Sequence, residues 1–189
     1  MQPIPQTIAA VDIGSNTVHI VVATVDPVDR RLTIIDRRVE IVRLGADIAS
    51  IGAIGPERAA RTEQALREMA ALAERHQVIA RLGVATEGVR AAGNAEEMLA
   101  RFSAAWGAPI TLIDGMEEAS LTFWGATSGV ADPSARLAVG DLGGGSCEIV
   151  VGEGGRIIWA RSLPLGSGRL IDAVAPADPP TGDDFTVLA

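Results

Sequence analysis

The chain carries one strand-turn-strand pattern twice. Residues 12–23 read DIGSNTVHIVVA and residues 141–152 read DLGGGSCEIVVG, and the two stretches align without a gap. Asp12 falls on Asp141, Gly14 on Gly143, Thr17 on Ser146, and Ile20, Val21 and Val22 on Ile149, Val150 and Val151. Each copy ends an apolar run with an acid, bends through glycine and a hydroxyl, and leaves through β-branched residues, which is the pattern of a hairpin. Whatever fold the chain adopts has to accommodate that hairpin twice.

The segments around the two copies indicate the rest of the architecture. Residues 8–14, 17–25 and 31–42 are rich in Val, Ile and Thr and are separated by GSN and DPVDR, which predicts a three-stranded antiparallel meander. From Pro56 the period changes: Ala59, Thr62, Ala65, Leu66, Met69, Leu72 and Ala73 recur at helical spacing, with Pro56 suited to a first turn. VIARLGVAT at 78–86 reads as a buried strand, short helical pieces run through Arg90 and Ala95 to Trp106, and ITLID at 110–114 is another strand. MEEASLTFWGATSGV then looks helical, and residues 135–143, 147–153 and 156–163 form a second strand cluster turning at GEGG. A meander followed by alternating strands and helices is the signature of an α/β layer fold.

Composition narrows the chemistry. The formal net charge of -8 argues against general binding to nucleic-acid backbone, which needs many cations. No apolar run approaches the roughly 18 to 20 residues of a membrane span, and the N-terminus lacks a signal-peptide pattern, so a cytoplasmic protein is expected. Cys147 is the single cysteine, which excludes an intrachain disulfide and a cysteine-rich zinc site. All 16 basic residues are arginine. A Walker-type lysine loop and a lysine nucleophile or base are therefore excluded, and phosphate has to be bound by backbone N–H groups, hydroxyls, arginine or a metal.

The repeated turn can bind an anion in that way. Glycine permits positive φ and close backbone approach, so N–H groups of Gly14, Ser15, Asn16 and Thr17, and of Gly143, Gly144, Gly145 and Ser146, can converge on a phosphate, with the Thr17 or Ser146 hydroxyl as a further donor. Asp12 and Asp141 lie beside the turns as carboxylates able to hold Mg²⁺ directly or through water. One Gly-rich hairpin alone is a weak signal, but two matching ones are the signature of a clamp on a phosphate chain.

In these residues the chain resembles the exopolyphosphatase and guanosine-pentaphosphate phosphohydrolase (Ppx/GppA) family of the actin and sugar-kinase superfamily. The resemblance runs through AAVDIGSNTVHIVVA, ATEGVRAAGNA, DGMEEASLTFWGA, VGDLGGGSCEIVVGE and LPLGSGRL, in the family's order. It implies a ribonuclease H-like, actin-like ATPase domain, with a mixed sheet, an antiparallel three-stranded meander and flanking helices. It implies Mg²⁺ as cofactor, and inorganic polyphosphate or guanosine pentaphosphate as substrate, hydrolysed by an in-line water. Glu118 takes the place of the family's catalytic base, with Glu117 beside it, and Arg90 that of a phosphate-contacting arginine. Glu148 joins Asp12 and Asp141 as a group holding the metal or its water. Thr86 and Asn94 match the same block as Arg90 and are expected to shape or cap the turn, and Arg43 matches a segment near the phosphate path. His19, the counterpart of Glu148, reads as structural, and Cys147 as a packing residue.

The pattern departs from the family at the end. Members continue after the LPLGSGRL block into a second α/β domain, so the expected organisation is a family domain at 1–174 and a Pro/Asp-rich tail or shortened linker at 175–189, with that second domain absent. A truncated chain, a shortened gene and a one-domain form that pairs as a homodimer all remain open. So do two other functions: a module that binds polyphosphate or a guanosine alarmone without cutting it, and half of a phosphotransferase related to acetate or sugar kinases.

Overall fold

The computed structural model of the chain describes residues 4–28, 31–130, 132, 134–174, 181–183 and 186. It divides into two compact units, Met1–Leu112 and Ile113–Ala189. The division falls inside the stretch expected as one domain, because the two strand clusters form separate sheets with separate cores. Most of the tail at 175–189 lies outside the described residues, as do Asp29 and Arg30 of the DPVDR turn.

The first unit holds a five-stranded sheet. Strands β1 (Gln6–Ile13), β2 (Thr17–Val25) and β3 (Leu32–Ile41) form the expected antiparallel meander, while β4 (Ala80–Ala85) runs parallel to β1 and β5 (Thr111–Leu112) parallel to β4. The order across the sheet is β3-β2-β1-β4-β5. Between Arg43 and Gly52 the chain makes a 3₁₀ turn, Leu44–Asp47, and a single helical turn, α1 (Ile48–Ile51), closed by Gly52 at φ 67°. Neither is legible as a periodic pattern, since each is too short to show one.

Three more helices complete the unit: α2 (Pro56–Arg75), α3 (Glu87–Arg90) and α4 (Ala95–Trp106). Pro56 occupies the first turn of α2, where its missing N–H costs nothing, with Glu57 beside it and Arg75 in the last turn to suit the helix dipole. The α2 residues Ala59, Ala65, Leu66, Met69 and Ala73 meet Met98, Phe102 and Trp106, which lie four residues apart along α4. Against them the sheet sets Ala9, Val11, Ile13, Val18, Ile20 and Val22. Gly107 at φ 78° ends α4, and the Arg81 guanidinium donates to the Trp106 carbonyl at 2.9 Å while lying 5.4 Å from its ring centroid.

The second unit is smaller. Helix α5 (Gly115–Thr127) packs on a three-stranded antiparallel sheet of β6 (Arg136–Leu142), β7 (Cys147–Glu153) and β8 (Arg156–Leu163), and α6 (Ser167–Val174) follows. Its fully buried apolar centre is Ala119, Phe123 and Val150, flanked by Leu137, Val139, Ile157 and Ala160. Gly152 makes the packing feasible, because a Cβ there would stand 2.2 Å from the Phe123 ring. Gly154 and Gly155, at φ 60° and 74°, form the tight β7–β8 turn that positive φ at both central residues requires.

The repetition seen in the sequence extends into three dimensions, down to a shared irregularity. The meander β1–β3 slips register between Val22 and Ala23, and β6–β8 slips between Val151 and Gly152, at the matching place. The residues passed over in the two slips are Ile35 and Ile158. Such bulges bend a strand and reset which side chains face each other.

Candidate functional site

The two turns are closed by the same hydrogen bond. Gly14 N–H donates to the Thr17 carbonyl and Gly143 N–H to the Ser146 carbonyl, each at 3.0 Å. The positive-φ glycines among the described residues are Gly52, Gly107, Gly154 and Gly155, none of them in either turn. The turns therefore do not use the positive φ that glycine permits. A Cβ on Gly14 or Gly143 would meet the carbonyl across the turn at 3.4 Å, an ordinary contact.

Each turn also has its carbonyls drawn back into the protein. In the first unit the N–H groups of Val42 and Arg43 donate to the Asn16 carbonyl at 2.9 and 2.8 Å, and Gly45 N–H donates to that of Ser15 at 2.9 Å. In the second, Ser167 N–H donates to the Gly143 carbonyl and Gly168 N–H to that of Gly144, both at 2.9 Å. Close approach to each turn depends on glycine in the segment behind it: a Cβ on Gly166 would lie 2.2 Å from the Gly144 carbonyl oxygen, and one on Gly88 would lie 2.6 Å from the Ser15 Cα. Among the described residues, the N–H groups of Ser15, Asn16, Gly144, Gly145 and Ser146 donate to no backbone carbonyl outside the regular strands and helices, and to no side chain. Two turns with occupied acceptors and uncommitted donors are nests suited to anions.

Around the first turn stand Asp12, exposed on β1, and His19 directly opposite it on β2. His19 Nε2 is 2.9 Å from the Thr17 hydroxyl. Thr86 is buried between β4 and α3; its N–H donates to the Ile13 carbonyl at 3.1 Å, and its carbonyl accepts from Val89 and Arg90. Arg90, half-buried at the end of α3, donates to Glu87 Oε2 at 2.8 Å. Asn94 precedes α4, but its side chain makes no cap; it holds the Ile54 backbone instead, accepting from N–H and donating to the carbonyl at 3.0 Å each. Arg43 has a left-handed backbone, φ 51°, unusual for a residue with a side chain.

The second turn has a different set of neighbours. Asp141 and Glu148 face each other across β6 and β7, on the side that α5 covers. Asp141 is exposed and accepts from the Thr122 hydroxyl of α5 at 3.3 Å. Glu148 is 2% exposed and accepts from the Ser162 hydroxyl of β8 at 2.7 Å. The structure also separates the two neighbouring glutamates of α5. Glu117 closes a capping box, its Oε2 accepting the Asp114 N–H at 3.0 Å while Asp114 Oδ1 accepts the Glu117 N–H at 2.8 Å. Glu118 is half-buried, with its Oε2 shielded from solvent.

Of the expected metal set, Asp12 belongs to the first unit and Asp141 and Glu148 to the second. Among the described residues, no group of three or more His, Cys, Asp or Glu side chains is arranged to hold a metal ion. Asp141 and Glu148 as a pair of hard oxygen donors still suit Mg²⁺, which takes one or two carboxylates and keeps several waters. Ser162 and Thr122, the donors to that pair, were not singled out by the sequence pattern.

Together the mixed five-stranded sheet, the three-stranded antiparallel meander and the flanking helices define an α/β actin-like ATPase fold. The sequence matches the Ppx/GppA phosphatase family over residues 21–189, and the chain belongs to that family. It is 35% identical over 181 residues to Exopolyphosphatase 2 of Mycobacterium tuberculosis, covering 92% of this chain and 56% of that one. To Exopolyphosphatase 1 of Mycobacterium leprae it is 31% identical over 173 residues, covering 92% and 51%. The crystal structure of the Aquifex aeolicus Ppx/GppA family member superposes with a TM-score of 0.79 at 31% identity, over 97% of this chain and 59% of that one. An exopolyphosphatase from Cytophaga hutchinsonii superposes with a TM-score of 0.87 at 28% identity, over 96% and 58%. The chain thus spans about half the length of the curated relatives it matches. No helix among the described residues is long and apolar enough to cross a membrane.

Proposed function

We propose that the chain is a Mg²⁺-dependent phosphohydrolase of the exopolyphosphatase type, releasing orthophosphate from the end of inorganic polyphosphate or from guanosine pentaphosphate. The observation that carries this reading is the pair of turns closed by the same hydrogen bond and left with uncommitted N–H donors, in a chain of the Ppx/GppA family. A phosphate chain offers the repeated anion that repeated nests would bind. The names of the exopolyphosphatase relatives support the substrate class.

In this reading the N–H groups of Ser15, Asn16, Gly144, Gly145 and Ser146, with the Thr17 hydroxyl, receive phosphate oxygens, while Gly14 and Gly143 close the two turns through their bonds to the Thr17 and Ser146 carbonyls. Arg90, on a short helix anchored at Thr86 and paired with Glu87, neutralises charge on the phosphate oxygens. Glu118 takes the proton from the attacking water. The shielding of its Oε2 distinguishes it from Glu117, which the helix cap already employs. Asp141 and Glu148, with Asp12, would hold Mg²⁺, which when bound neutralises the phosphate oxygens and so does work that the missing lysines cannot. Catalysis on this basis is mainly positioning and electrostatics. The reading includes a family domain at 1–174 with a tail at 175–189, a cytoplasmic setting that suits the lone thiol of Cys147, and a homodimer as a candidate assembly.

The test is orthophosphate release from polyphosphate with Mg²⁺ by the purified chain and by its Glu118→Gln variant. Removing a general base is expected to lower turnover by about 10²-fold or more. Equal release from both proteins would remove Glu118 from the mechanism, and no release from the parent would overturn hydrolysis by this chain.

A further inference from the structure

Glu148 stands in an environment that does not favour an acid. Its neighbours on the same face of the β6–β8 sheet include Val139, Val150 and Ala160, and α5 covers that face with Ala119 and Phe123. At 2% exposure its carboxylate has lost most of its water, which is unfavourable for an ion unless partners replace the hydration. Its hydrogen-bond donor among the described residues is the Ser162 hydroxyl, at 2.7 Å.

The register shows that this partner is specified. Counting back from the Glu153–Arg156 pair without interruption would set Arg161 opposite Glu148, and would give the buried acid a cationic partner. The slip between Val151 and Gly152 moves β8 by one residue, so that Ser162 faces Glu148 and Arg161 faces Ile149 on the opposite side. Arg161 is accordingly exposed. An arginine would orient the carboxylate and also cancel its charge; a hydroxyl orients it and leaves the charge available. The same neutral device recurs at the opposing acid, where Thr122 donates to Asp141 Oδ2. The matching bulge of the first unit brings Val39, not a hydroxyl, opposite His19.

We infer that Ser162 is a positioning residue, which fixes the Glu148 carboxylate in one orientation toward the second turn without neutralising it. The inference rests on the proposed role of that turn, but it makes a claim about Glu148 that can be read separately.

The experiment uses the whole chain labelled with ¹³C at the glutamate carboxyl carbons, with the Glu148 resonance assigned by its loss in Glu148→Gln. Ser162→Ala is expected to shift that resonance, and Ser162→Thr, which keeps the hydroxyl, to leave it near its parent position. An unmoved Glu148 signal in Ser162→Ala overturns the inference whether or not the chain hydrolyses anything. In the Mg²⁺-polyphosphate assay, Ser162→Ala should lower kcat about 10-fold or more with little change in KM, and Ser162→Thr should restore it. Combining Ser162→Ala with Glu148→Gln should cost no more than Glu148→Gln alone, since both act through one group. Fully additive losses would show that Ser162 acts elsewhere and would also overturn the inference. An inactive parent chain with a shifted Glu148 signal would instead count against the proposed hydrolysis and leave the positioning role supported.

Discussion

In the first unit the hairpin turns Val18, Ile20 and Val22 into the core shared with α2 and α4, and leaves Asp12 and His19 in water. In the second, the residues matching Val18 and Ile20 are Cys147, half-buried, and Ile149, 37% exposed, while Glu148 and Val150 are the ones covered, by α5. One local sequence is therefore packed from opposite sides. The turn tolerates this because its N–H groups lie at the end of the strands and not on either face. What changes is the environment of the residue seven positions after the aspartate. On the open face a histidine there pairs with the turn hydroxyl; on the covered face a glutamate there is held by the third strand. The repeat keeps the turn and leaves the neighbouring side chains free to differ.

The strongest way to break this comparison is to remove the centre of each core. Phe102→Ala should cost the first unit about 3–5 kcal/mol in urea unfolding, and Phe123→Ala should cost the second an amount near the lower end of that range, since its buried apolar centre is smaller. Two transitions that shift independently would support separate cores. A single transition lowered by either change would mean that the units unfold as one.

A smaller effect tests the loops behind the turns. Gly166→Ala drives a Cβ into the Gly144 backbone at 2.2 Å, whereas Gly45→Ala meets nothing nearer than the Ser15 Cβ at 3.3 Å. The first change should cost about 1–3 kcal/mol in thermal or urea stability and the second much less. Equal losses would show that the two latches are not packed as differently as these distances require.

The mildest effect concerns acid. The hydrogen bond from His76, followed by that from the Arg37 N–H, holds the Asp36 carboxyl below its usual range. A depressed folded-state pKa contributes stability above the unfolded value, near 3.9, and that stability is lost as pH falls through the folded value. Unfolding midpoints of the first unit should therefore drop below about pH 4 in the parent and drop less steeply in Asp36→Asn. Parallel pH curves for the two proteins would remove this contact from the acid response.

Most of the strands and the long helices were legible because their signals are local. Pro56 and the spacing from Ala59 to Ala73 announced α2, and GEGG announced the β7–β8 turn. The short pieces were not legible: α1 is a single turn, and α6 begins inside a Gly-rich loop. The two turns were visible as residues, but the glycines that let other segments approach them were not, since close approach by Gly88 and Gly166 depends on segments distant in sequence. The resemblance singled out Glu118, but the physical difference from Glu117 appears only in the structure, where the cap at Asp114 claims Glu117. Ser162 stayed hidden for a sharper reason. Simple counting from the turn points to Arg161, and only the bulge, a one-residue irregularity with no clear sequence mark, reveals the partner of Glu148.

The three tryptophans are divided between the units in a way that makes the chain its own optical probe. Trp106 is fully buried in the first unit, whereas Trp124 and Trp159 of the second are 53% and 46% exposed. Light emitted from the folded protein therefore mixes one shielded source with two that a soluble quencher can reach. Selective quenching would silence the second unit and leave the first still reporting, with no label attached to either.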